Sequence, residues 1–389
     1  MKHGIATMTL DTGTCPKWLF ERMVKLGREM TRVLIETFGP DEFIRRLGDP
    51  AWFQSLGTVL AFDWNASGLT TILTAALKEA LRGREREWGV FICGGKGKTS
   101  LKTPDQIAEW GERLQMPEDH TQSLVYNSRM SAKVDSALVQ DGYQLYHHAF
   151  FFSKNGAWTV VQQGMNKATH TARRYHWHSA NVKDLIVEPH TGIATQALHP
   201  RTLNLTAQTG EKNRGIALEL VNSNAATMLK DLQILRRHSS ALSQTISFKT
   251  GGAERDQLTL LNLENTEFKT HPVVTEEWTH SPYLDRILLK LVGEKPKTYE
   301  ELVATPGVGP KTVRALALVS EVIYGAPASY LDPARYSFAH GGKDATPYPV
   351  DRKTYDQTIQ TLTAALRKTH LDYTDKTKAM KRLNGVTAP

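Results

Sequence analysis

The chain has 389 residues, 40% hydrophobic and 23% charged, with a formal net charge of +8 and a sequence isoelectric point near 9.3. That length suggests two or three domains with real cores, and the positive balance favours either a polyanionic partner or a merely solvated basic surface. Cys15 and Cys93, without CxxC spacing, exclude a disulfide framework and a zinc ribbon. No run reaches the length of a membrane span and the N-terminus has no signal-peptide core, so the expectation is a cytoplasmic protein with no membrane partner.

In chain order, Ile5–Leu10 reads as a first strand. Pro16–Phe38 reads as an amphipathic helix, because Leu19, Met23, Leu26, Met30, Val33 and Leu34 recur at helical spacing. Gly39-Pro40 ends it, and Asp41–Leu47 is a short second helix. Phe62–Gly68 is a loop and Leu69–Leu81 a further helix. Trp88–Cys93 is a buried-strand candidate followed by Gly94-Gly-Lys-Gly-Lys-Thr-Ser100, which imitates a phosphate-binding loop. Ile92 stands where the first glycine of that motif belongs, and the next helix starts only at Thr103-Pro104, so a nucleotide P-loop is excluded.

Thr121–Gln140 is read as a helix carrying Lys133 and Asp135. Tyr143–Phe152 and Trp158–Met165 are apolar strands around Asn155-Gly156, a strong hairpin signal. A two-residue loop there sets His148 opposite Gln163 and Ala149 opposite Gln162, leaving the hairpin polar at its open end. Thr171–His178 and Leu185–His190 follow, then helices at Ile216–Val221 and Ala225–Arg236. A domain boundary is placed within Ser239–Glu254. Pro282–Val292 is a helix capped by Ser281.

Leu302–Leu316 is where residue types and order agree best. Glu300–Ala304 closes one helix and Pro306 stops it. Gly307 and Gly309 are read as positive-φ turn positions, and Pro310 opens the next helix. The expected product is a helix-hairpin-helix over about 298–324, whose turn N–H groups take a phosphate oxygen beside Lys311 and Thr312. A plain Pro-Gly turn between packed helices is the competing reading. Ser329–Pro349, with His340–Asp344, is loop-like, and Asp351 starts a last helix through Tyr355, Ile359, Leu362 and Leu366. The expected fold class is α+β, with an α/β N-terminal domain at 1–240 and an all-α C-terminal domain at 255–389 that contains the helix-hairpin-helix.

Two constellations carry chemistry. In the first, Lys133, Asp135, Asp141, His147, His148 and Gln163 are candidate catalytic residues. Asp135, Asp141, His148, Glu188 and His190 are candidate ligands of a divalent metal, Mg or Mn, that would activate water against a phosphodiester. Arg173 and Arg174 join Gly307, Val308, Gly309, Lys311 and Thr312 as expected DNA contacts. The competing reading makes Asp135 part of a solvated helix face, Asp141-Gly142 a turn, and the histidines partly buried strand residues.

The second constellation is Lys311 with Asp351. Thr305-Pro-Gly-Val-Gly-Pro-Lys-Thr312 followed by Pro349-Val-Asp351 resembles the helix-hairpin-helix superfamily of base-excision glycosylases, which implies an attacking lysine at Lys311 and a capping aspartate at Asp351. The interval of forty residues (351 minus 311) exceeds that family's, and Asp351 also reads as a plain N-cap. Most of the chain, from Gly4 to beyond Asp351, resembles an archaeal and bacterial family catalogued as domain of unknown function seven-sixty-three. Phe62-Asp-Trp, Gly94-Gly-Lys-Gly, Ser131-Ala-Lys-Val-Asp135, Gln140-Asp-Gly-Tyr143, Leu145-Tyr-His-His148, Gln162-Gln-Gly-Met165 and Ala172-Arg-Arg-Tyr-His-Trp177 carry the likeness. Asn65 and Ala66 depart from the histidine and serine expected there. The resemblance implies little about mechanism. The combined expectation is a DNA-binding, metal-dependent deoxyribonuclease of DNA repair or processing, with a homodimer allowed. A glycosylase/lyase-like enzyme and a non-catalytic repair accessory protein are the alternatives.

Overall fold

The computed structural model describes residues 8–10, 13–60, 66–196, 198–199, 202–239, 245–247, 257–259, 282–334 and 352–386. The expected boundary within Ser239–Glu254, the Ser281 cap, the His340–Asp344 loop and Asp351 fall wholly or largely outside them.

Helix and strand are mixed, and the main sheet is wholly antiparallel. Its strands are β1(Val90–Lys96), β3(Gln144–Ser153), β4(Trp158–Asn166), β5(Thr171–His178) and β6(His190–Thr195), hydrogen-bonded in the order β1-β3-β4-β5-β6. The α/β expectation is corrected here, because no parallel pair occurs among the described strands. β2(Val139–Gln140) pairs with β7(Leu203–Asn204) in a small second sheet. Of the expected first strand, Thr9 makes one bridge to Thr171.

Successive strand side chains point to opposite faces, and both faces of the main sheet are covered. Ala149, Phe151 and Val161 pack with α1(Lys17–Phe38), α2(Pro40–Leu47), α3(Pro50–Val59) and α4(Ala66–Leu81). Phe150, Phe152, Val160 and Trp177 pack on the other side with α7(Thr103–Leu114), α8(Glu118–Ala137), α9(Glu211–Asn222) and α10(Ala225–Ser239). Burial on both faces is why β3 and β4 read as unbroken apolar runs. The stripe of α1 is buried at Met23, Leu26, Met30, Val33 and Leu34, and the helix stops at Gly39, whose φ is +84°. β1 ends at Lys96, and α6(Lys98–Leu101) intervenes before α7, so the glycine run does not lead directly into a long helix.

The C-terminal helices divide between the two faces. α11(Pro282–Glu294), α12(Tyr299–Ala304) and α13(Pro310–Val322) join the layer with α8 and α9, whereas α14(Arg352–Lys368) and α15(Tyr373–Val386) pack on α1 and α3. Among the described residues no helix is long and apolar enough to cross a membrane.

The hairpin register differs from the expected one by a residue: His147 faces Gln163 and His148 faces Gln162. The cause lies in the loop. Ser153 N–H donates to Ala157 C=O at 2.9 Å, and Gly156 N–H to Ser153 C=O at 3.1 Å, with Gly156 at φ +99°. That is a three-residue loop, a turn closed by a left-handed glycine, in place of the two-residue turn that Asn-Gly also favours. A shift of one register position exchanges facing partners along the whole hairpin.

Candidate nucleic-acid interface

On the α8 side of the sheet, Asp135 and His148, two of the expected catalytic residues, enter one closed network with Gln162, Trp177 and His190. Asp135 is fully buried. Its Oδ2 accepts from Gln162 Nε2 at 2.5 Å and from Trp177 Nε1 at 3.0 Å, and its Oδ1 lies 2.5 Å from His190 Nε2. Burial pushes the Asp135 carboxyl up, against the pull of His190 and Trp177. Gln162 Oε1 lies 2.8 Å from His148 Nδ1, so that nitrogen carries the proton and His148 Nε2 accepts from the Ser128 hydroxyl at 2.9 Å. Burial draws the His148 pKa down to about 4, which keeps the ring neutral.

Asp141 is equally committed. It accepts from Tyr175 Oη at 2.7 Å, Arg173 Nη1 at 2.9 Å and the Tyr143 N–H at 3.0 Å. Arg173 also grips both oxygens of Asp332, at 2.9 and 2.7 Å. Glu188 sits apart, exposed, at φ +45°, accepting from the Gln208 N–H at 3.4 Å. Among the described residues no three His, Cys, Asp or Glu side chains gather as a metal ion would require. Of these expected ligands, Asp135 and His190 meet directly and His148 joins them through Gln162, whereas Asp141 is engaged by Arg173 and Tyr175 and Glu188 lies apart.

The opposite face carries His147, Gln163, Arg174 and His176. His147 Nε2 meets Thr74 Oγ1 at 3.2 Å, and that hydroxyl donates to the Thr70 or Thr71 carbonyl, so Nε2 is the protonated nitrogen. His147 Nδ1 and Gln163 Oε1 remain as buried acceptors without a hydrogen-bond partner, on directly paired residues, which suits a donor such as water. Arg174 donates to Thr70 Oγ1 at 3.2 Å and to Gln54 Oε1 at 3.3 Å, and lies over the Phe53 ring. The expected DNA contacts at Arg173 and Arg174 are thereby corrected: both side chains are wholly inside the protein.

The turn between α12 and α13 faces outward. Gly307 has φ +97°, and a Cβ there would come within 2.5 Å of Ile287 Cδ1. Gly309 precedes α13 at φ −146° and has open space where a Cβ would go. Positive φ is thus needed at Gly307 and not, as expected, at Gly309. The turn is held by its carbonyls. Lys133 Nζ donates to Thr305 C=O at 2.8 Å, Lys290 Nζ to Pro306 C=O at 2.9 Å, Tyr283 Oη to Gly307 C=O at 3.2 Å and Gln140 Nε2 to Pro310 C=O at 3.0 Å. The N–H groups of Gly307 and Gly309 enter none of the described main-chain bonds. Gly307, Pro310 and Lys311 are exposed, while Val308 and Thr312 are buried in the apolar layer and anchor the turn instead of touching a ligand. Burial, reinforced by neighbouring Lys290, lowers the Lys133 pKa.

The family model described as protein of unknown function, DUF763, matches residues 4–350. The chain belongs to this family. No curated protein and no solved structure matches it. The DUF763 match spans the main sheet, the helices from α1 to α13 and the turn between α12 and α13, and ends before α14 and α15.

Sequence reasoning missed Tyr283 and Lys290 of α11 as neighbours of the turn, with Arg286 over the Tyr283 ring. Their spacing, one face of a helix just upstream of the glycine turn, was the available signal; the docking of that face beside Gly307 is tertiary.

Proposed function

We propose that the chain binds DNA through the sugar–phosphate backbone, with the Thr305–Lys311 turn acting as a helix-hairpin-helix. One observation carries the reading: an exposed turn at the start of a long helix, with the N–H groups of Gly307 and Gly309 outside the described hydrogen bonds and Lys133, Lys290 and Lys311 around it. Such N–H groups and the helix dipole suit a phosphate oxygen, and the lysines add a field that is indifferent to sequence. The overall charge of +8 agrees. In this reading Asp135 and Asp141 hold the interior together, their oxygens accepting bonds from Gln162, Trp177, Tyr175, Arg173 and the Tyr143 N–H.

Fluorescence anisotropy with duplexes of unrelated sequence tests this. Binding should be similar across sequences and fall steeply with salt, and Lys311→Glu should reduce the slope of log affinity against log salt by about one ion. A salt-independent affinity, or a folded Lys311→Glu protein that binds as wild type does, removes the reading.

A further inference from the structure

We infer that Tyr283 and Arg286 of α11 form a stacking platform for an unpaired nucleotide beside the turn, so that the DNA ligand is a duplex carrying a single-stranded segment. This rests on the phosphate-binding reading of the turn and specifies its substrate.

Tyr283 is 52% exposed, unusual for a ring that is also held in place. Its hydroxyl donates to the Gly307 carbonyl at 3.2 Å, and the Arg286 guanidinium lies over its ring, 5.2 Å from the centroid. Leu284, Ile287, Leu288 and Leu291 of the same helix are buried, so α11 is anchored by one face and presents Tyr283, Arg286 and Lys290 on another. The glycine makes the juxtaposition possible: a side chain at 307 would intrude on Ile287 and stand 3.3 Å from Tyr283 Oη.

A π-face paired with a guanidinium, within reach of a lysine, is the chemistry that takes a nucleobase from an unpaired strand. Bases inside a duplex are stacked on one another and offer no face to a side chain; duplex phosphates remain available to the turn. The turn and the platform together therefore suit a junction in which the backbone of the duplex meets the turn and the first unpaired base meets Tyr283. Lys290, on the same helix as Tyr283, bonds the Pro306 carbonyl at 2.9 Å and pairs with Glu294 at 3.5 Å, so its ammonium lies beside the turn.

The test compares a blunt duplex, the same duplex with a single-stranded tail, and the free single strand, by anisotropy. A 2-aminopurine at the first tail position reports stacking by its fluorescence. The tailed duplex should bind about ten-fold tighter than the blunt one. Tyr283→Phe, which loses only the hydroxyl bond to the Gly307 carbonyl, should keep the tail advantage and the 2-aminopurine response, whereas Tyr283→Ala should abolish both, its tailed-duplex affinity falling to that of its blunt duplex. Equal binding of tailed and blunt duplex by wild type, or an equal loss on all probes in Tyr283→Ala, overturns the platform and leaves backbone binding standing. Absence of binding to every probe removes the phosphate reading and the platform with it. Thermal melts of both variants identify any loss that comes from unfolding.

Discussion

The ammonium of Lys133 donates to the main-chain carbonyl of Thr305 at 2.8 Å, across 172 residues of sequence. Two positions along α8, Asp135 points into the sheet instead and accepts from Gln162, Trp177 and His190. One helix thus has a face that holds the turn and a face that is sealed in the interior. Residues that look like a single catalytic cluster in sequence are divided between an outer surface and an inner network.

The two turn glycines should separate stability from binding. Gly307→Ala places a side chain at φ +97° against Ile287, and is expected to cost about 2 kcal/mol in urea unfolding. Gly309→Ala meets open space; its unfolding midpoint should stay near wild type while DNA affinity falls, because the methyl crowds the incoming phosphate. The reverse ranking in stability would mean that Gly309, and not Gly307, carries the positive-φ position of the turn.

Asp135→Asn should behave as a structural lesion. An amide cannot accept all three bonds that the carboxylate takes, and the loss is buried. We expect destabilisation of about 3 kcal/mol by urea titration, with DNA affinity of the folded fraction unchanged. A variant as stable as wild type would show that the network around His190 and Trp177 is not holding α8 to the sheet.

Arg173→Lys should lower the melting temperature, since a lysine cannot reproduce the paired contact to Asp332 and the bond to Asp141. Because the side chain is wholly buried, the salt slope of DNA binding should not move. A reduced slope with unchanged stability would place Arg173 against DNA after all.

His147 and His148 should stay neutral well into acid. Burial brings their pKa values to about 3 and about 4 from an ordinary 6.5, reinforced at His147 by the neighbouring His148 imidazole and Lys96 ammonium, which disfavour a further proton. As pH falls below 6.5 the unfolded chain takes up protons first. The stability linked to each ring is therefore complete above that value and declines by about 1.4 kcal/mol per pH unit until the folded ring also protonates. Asp135 and Asp141, whose carboxyls burial pushes up, work in the opposite sense. Imidazole NMR shifts read the rings directly: neither should titrate between about pH 8 and about pH 5. A midpoint near the ordinary histidine value for either ring would place it in contact with solvent.

Much of the local architecture is legible in the sequence because it depends on neighbours a few residues away. The apolar spacing of α1, the unbroken apolar runs of β3 and β4, and the proline and glycine punctuation before α13 each follow from helical or strand periodicity and from backbone sterics. The motifs from Phe62 to Trp177 also point to the family that the chain proves to share. What the sequence leaves open depends on a single residue of register or on packing across long intervals. Asn155-Gly156 marks the hairpin, but whether its loop has two residues or three is settled only when Ser153 closes on Ala157, and that choice decides whether Gln162 or Gln163 faces His148. Adjacent arginines look like a basic patch until the pleat sends Arg173 to Asp141 and Asp332 and Arg174 to Gln54 and Thr70. Tyr283 becomes a neighbour of Gly307 only because two helices pack closely where no side chain intervenes. Periodicity fixes which face of an element is apolar; the partner that covers that face, and with it the set of polar groups consumed inside or left outside, is a property of the assembled layers.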